Sequence, residues 1–80
     1  MQVNTKDFWN SCLALIEKEI SRANFNTWFK NTYILKEDSG TVIVGVPNEF
    51  VRDWLKNKYE KMILKAIIEH ADHVRSVEFE

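Results

Sequence analysis

Residues 47–68, PNEFVRDWLKNKYEKMILKAII, constrain this chain more than any other stretch. After Pro47 the run has no glycine and no second proline, and its apolar residues repeat at helical spacing. Pro47 and Asn48 predict the end of a strand and the start of a helix. Asn48 suits the N-cap, because its side-chain oxygen can accept from a free N–H of the first turn. Glu49 follows where the helix dipole favours an anion. Val51, Leu55, Tyr59, Met62, Ile63 and Ala66 recur at steps of three and four and line one face. At about 100° per residue, Phe50 falls roughly 150° from the centre of that face. Such a ring is either covered by a second element or serves as a binding anchor, a role in which exposed aromatic residues are common.

The remaining residues must supply the surface that this helix packs on. Residues 5–22 read as a first helix, capped by Asn4 or Thr5 with Asp7 in its first turn. Phe8, Trp9, Cys12, Leu13, Leu15, Ile16 and Ile20 cover a sector too broad for a single packing partner. Either two elements cover it or one edge is left for another molecule. Asn24 is a candidate cap for a short second helix carrying Phe25, Trp28 and Phe29, all three expected in the core. Residues 32–36 read as a strand, with Thr32, Tyr33 and Ile34 as strand formers. Glu37, Asp38, Ser39 and Gly40 form a turn. Residues 41–46 are a second strand with Val42, Val44 and Val46 on one face, pairing with the first as an antiparallel hairpin. The helical pattern breaks at His70, Ala71, Asp72 and His73. Residues 74–80 then alternate, with Val77 and Phe79 on one face. The expected fold is α+β, order α-α-β-β-α-β: a three-stranded sheet packed with helices and open to solvent on its other face.

Composition excludes several classes of function. Eighty residues make one small domain, near the lower limit for a self-sufficient core. The net charge of −1 gives no bulk attraction to nucleic acid or membrane. A single cysteine rules out an internal disulfide, and Cys12 sits in an apolar stripe as a small hydrophobe, which suits a cytoplasmic protein. The N-terminal MQVNTKD lacks the apolar core of a signal peptide, and no apolar run has the length of a membrane span. Two glycines are too few for a phosphate-cradling loop. His70 and His73 have no third ligand nearby in sequence, so no metal site is expected, and no catalytic constellation emerges. Lys58, Lys61 and Lys65 share one side of the long helix and are candidate phosphate contacts. Asp53, Glu60 and Glu69 are interleaved with them, which favours an ordinary solvated face.

Three stretches, FWNSCLALIEKEI, NFNTWFK and VPNEFVRDWLKNKYEKMI, together with the element order, resemble the N-terminal domain (domain I) of the DnaA family of bacterial chromosomal replication initiators. The resemblance runs over essentially the whole chain and implies a fold similar to the K-homology (KH) domain. It implies a non-catalytic interaction module, needing no cofactor, at the start of a longer initiator whose ATPase and DNA-reading parts lie elsewhere. The implied partners are other initiator molecules, the replicative helicase and regulators of initiation. Trp9 matches the family's self-association tryptophan, and Phe50 the aromatic residue of the helicase contact. Asn24 stands where some members carry a helicase-contacting acid; here it is neutral. Thr27, Trp28, Asn48, Glu49 and Phe50 align with a regulator-binding surface. The alternative is a weak KH-like single-stranded DNA binder. Against it, the expected link between the first two helices, Arg22, Ala23 and Asn24, lacks the Gly-X-X-Gly clamp of true KH domains.

Overall fold

The structure, a computed structural model, describes residues 5–80. Helix α1 spans Thr5–Glu17 and α2 spans Arg22–Trp28; strands β1 (Tyr33–Asp38) and β2 (Thr41–Gly45) follow. Helix α3 (Glu49–Trp54) runs through a π-helical turn (Leu55–Tyr59) into α4 (Glu60–His70), and β3 (Ser76–Phe79) closes the sheet. The predicted α+β class and element order are those observed. The candidate cap Asn4 lies outside the described residues.

Helix α1 is shorter than its apolar pattern predicts. The N–H groups of Lys18 and Glu19 bond back to the carbonyls of Leu15 and Ile16, at 3.3 and 2.9 Å. These three-residue bonds tighten and end the helix. Residues 18–21 therefore form the link to α2, and the predicted link at Arg22, Ala23 and Asn24 is corrected. The cap of α2 is also corrected: Ser21 holds the N-cap in extended conformation, and its hydroxyl accepts the N–H of Asn24 at 3.1 Å. Both residues are chemically suited to capping, and the earlier end of α1 selects the first of them.

The sheet order is β1-β2-β3. The pairing of β1 with β2 is antiparallel, through a two-residue turn in which Ser39 and Gly40 both have positive φ. That requirement belongs to the type I′ hairpin turn. A bulge between Ile34 and Lys36 leaves Leu35 unpaired and exposed. Strand β3 lies parallel to β2, Val42 opposite Val77 and Val44 opposite Phe79. A parallel neighbour needs a long crossover, which the long helical stretch provides. The carbonyl of Gly40 receives Arg75 N–H at 2.7 Å, and the Thr41 and Ser76 hydroxyls bond at 2.8 Å, fixing the register of β3.

The core lies between sheet and helices. Val42, Val44, Val77 and Phe79 face Cys12 and Ile16 of α1 and Leu55, Ile63 and Ile67 of the long helical stretch. Phe29, just past α2, is fully buried against Tyr59 in an edge-on contact of 5.4 Å. Phe25 stacks on Phe29 at 5.8 Å and is half-buried. On the far side of the sheet Tyr33, Lys36 and Glu78 are exposed, while Ile43 is buried. The Tyr33 ring lies over Gly45, directly opposite in the hairpin, in space that a Cβ would fill.

Candidate protein-docking site

The site is built on the start of α3. Asn48 caps it as predicted: its Oδ1 accepts the N–H of Val51 at 2.9 Å, and its carbonyl accepts the N–H of Arg52 at 3.1 Å. The cap fixes the first turn, so Val51 is driven into the core and Phe50 is turned away from it. Val51 is buried, and Phe50 is turned off the core face as the helical arithmetic predicts; of the two alternatives left for its ring, exposure is the one observed, at 69%. No other element covers the ring. A fully exposed phenylalanine forfeits roughly 2 kcal/mol of burial, so it is a costly surface residue for a monomer.

Phe50 is nevertheless not a loose side chain. Its ring meets Trp28 of α2 at 5.6 Å, tilted by 47°. Trp28 in turn stacks on Trp54, with centroids 4.8 Å apart and planes within 17°. The ammonium of Lys58 lies 5.1 Å from the Trp54 ring centre. Phe50, Trp54 and Lys58 are spaced by four along the helix, and Trp28 inserts from α2 beside them. Aromatic pairs at these separations contribute about 0.5–1.5 kcal/mol beyond their burial, which stiffens the array. The indole N–H of Trp54 is buried and has no hydrogen-bond partner among the described residues.

The expected contact residues fall into two groups. Asn24, Thr27, Trp28, Asn48, Glu49 and Phe50 lie on α2 or at the start of α3, where Trp28 and Phe50 touch; all but half-buried Trp28 are exposed. The expectation that Trp28 is core is corrected in part: it is half-buried, packed against the core cluster, and also supports the exposed Phe50 ring. Trp9 is corrected in the opposite sense. Only 3% of it is exposed, because Thr32 and the start of β1 cover the edge of α1 that the apolar sector left open. Trp9 offers no exposed ring to a second copy. Trp54 is a member of the site that the sequence reading missed. Its position four residues after Phe50, on the same helical side, was the available signal.

The three lysines separate. Lys58 joins the aromatic array, whereas Lys61 and Lys65 border a shallow recess with Leu64, Ile68 and Glu69. His73 Nε2 lies 3.0 Å from Glu37 Oε2, tying the loop after α4 to β1. No group of three metal-ligating side chains converges among the described residues. Burial pushes the Cys12 thiol up to about 11, which keeps it protonated and unreactive at neutral pH. No helix among the described residues is long and apolar enough to cross a membrane.

The arrangement thus offers a stacked aromatic surface flanked by polar side chains. One comparison with known proteins bears on what it serves. The family model described as DnaA N-terminal domain matches residues 6–69, well over half of the chain, and that span includes all but the first residue of α1, with α2, the hairpin and the whole Phe50–Lys58 array. The chain belongs to the DnaA N-terminal domain family, and is thereby an N-terminal module of a bacterial replication initiator.

Proposed function

We propose that this domain is a non-catalytic docking module of the cytoplasmic initiator, and that Phe50 is its principal anchor, with the replicative helicase as the partner. The observation that supports this reading is the exposure of Phe50 on a stacked aromatic base. An aromatic ring already held in place loses little conformational freedom on binding, so its burial converts efficiently into affinity. Asn24, Thr27, Asn48 and Glu49, exposed on the two elements that carry Trp28 and Phe50, supply polar contacts and give regulators of initiation the same landing surface. Self-association with other initiator copies belongs to the same proposal. Trp9 serves it from beneath, by holding α1 against β1, and not by direct contact.

The test is capture of the replicative helicase by the immobilised domain, with Phe50→Ala and Val51→Ala compared in parallel. Phe50→Ala is expected to abolish capture while lowering the melting temperature less than Val51→Ala does. Val51→Ala is expected to lower the melting temperature while the folded fraction still captures. Capture by Phe50→Ala equal to that of the unmodified domain would refute the anchor role.

A further inference from the structure

The docking surface is not uniform along its length. At the Phe50 end one cation faces two carboxylates and the balance is negative: Arg52 reaches Glu49 at 3.6 Å and Asp53 at 3.2 Å. Beyond Trp54 the helix turns basic, with Lys56, Lys58, Lys61 and Lys65 outnumbering Glu60 and Glu69. Lys58 is the one of these four that contacts the array. Its ammonium is held between the faces of Trp54 and Tyr59, at 5.1 and 5.9 Å, and the residue is exposed. Among the described residues no carboxylate pairs with it. Aromatic faces attract the cation without neutralising it, so Lys58 is pre-positioned and electrostatically unspent.

We infer that the partner segment accepted here is acidic at one end: an apolar side chain meets Phe50, and a carboxylate pairs with Lys58. Eight residues of helix separate the two contacts, or about 12 Å along the axis. The inference rests on the docking role of Phe50 and adds the chemistry of the occupant. A protein segment fits better than nucleic acid. A phosphate backbone brings negative charge at every nucleotide. At the Phe50 end it would run against the side chains of Glu49 and Asp53, which are 85% and 62% exposed. A segment with one localised carboxylate avoids that repulsion and keeps the attraction at Lys58. Lys58 is thereby the residue that selects among partners able to cover Phe50.

The experiment measures helicase affinity for the domain and its Phe50→Ala, Lys58→Glu, Lys58→Arg and Lys36→Glu variants, at low and physiological salt. Lys36 lies on β1 and controls for net charge. Lys58→Glu is expected to weaken binding by roughly fivefold or more, Lys58→Arg to keep it, and Lys36→Glu to leave it unchanged. The Lys58→Glu loss is expected to shrink at high salt. If Phe50→Ala loses binding while Lys58→Glu does not, the acidic-segment inference is wrong and the anchor role stands. If the unmodified domain fails to bind, both are wrong. A parallel titration with oligothymidylate covers the other class of ligand. If Lys58→Glu abolishes binding of this strand at physiological salt without affecting helicase, the inference is overturned in favour of nucleic acid.

Discussion

Trp9 donates its indole N–H to the hydroxyl of Thr32 across 3.0 Å, and Thr32 passes its own hydrogen to the carbonyl of Phe29 at 2.6 Å. This relay crosses from α1 to the segment joining α2 to β1, and all three residues are buried. Thr32→Val keeps the shape and removes the acceptor, leaving a buried indole N–H unpaired. The expected cost is about 1–3 kcal/mol in urea unfolding. Placed on a Trp9→Phe background, which has no N–H to strand, the same change should cost clearly less. Additive losses in the double variant would show that the relay contributes nothing.

Trp9→Ala is expected to destabilise the domain by about 3–5 kcal/mol, because it empties a large closed site. In a domain this small that is a large share of the total stability. Any loss of self-association in that variant should therefore track the folded fraction measured by circular dichroism at the same concentration. A variant that keeps its full melting temperature but no longer associates would instead show Trp9 acting at the surface.

Phe50 and Val51 are neighbours with opposite environments, and their alanine variants should separate in thermal melts. Val51→Ala is expected to cost about 1–2 kcal/mol from the lost methyl groups and the cavity they leave. Phe50→Ala is expected to cost about 1 kcal/mol or less, the value of its contact with Trp28. For a chain of this size 1 kcal/mol corresponds to about 4–8 °C, so scanning calorimetry resolves the difference.

The raised pKa of Cys12 carries a sign that can be checked. In the folded state the thiol holds its proton up to about pH 11, whereas the unfolded thiol releases it near pH 9. Between these values the unfolded state binds fewer protons, so stability falls as pH rises through that window. Cys12→Ala should flatten this part of the pH profile. At pH 8 the native thiol should react with iodoacetamide far more slowly than the thiol in urea.

The helices, the hairpin and the turning of Phe50 away from the core face were legible because each depends on local spacing or local chemistry. Asn48 has a cap geometry that only a few side chains satisfy, and the step from Val51 to Leu55 to Tyr59 admits one face. The parallel partner of β3 was not legible, since Val77 and Phe79 declare an inward face but not a neighbour. The π-helical turn was hidden for a different reason: one extra residue changes the register without breaking the apolar repeat. Trp9 was assigned to the surface and Trp28 wholly to the core, whereas Trp9 is buried and Trp28 half-buried. Both lie on apolar stripes, and a stripe does not say which edge the next segment will cover. Trp54 was overlooked because the core-facing residues of its helix gave the stronger signal.

The parallel pairing of β3 has a consequence for the order of events during synthesis. Strand β2 is central, yet its second neighbour is made last, after the whole helical stretch that carries Phe50 and Lys58. On the ribosome the hairpin, α1 and α2 emerge with one side of β2 bare, and the long helical stretch has no closed sheet to lie on. The sheet beneath that helical stretch is thus complete only once Ser76–Phe79 has been made. A fragment cut at residue 69, where the family match stops, would leave that strand edge open, exposing a template for unwanted pairing between chains.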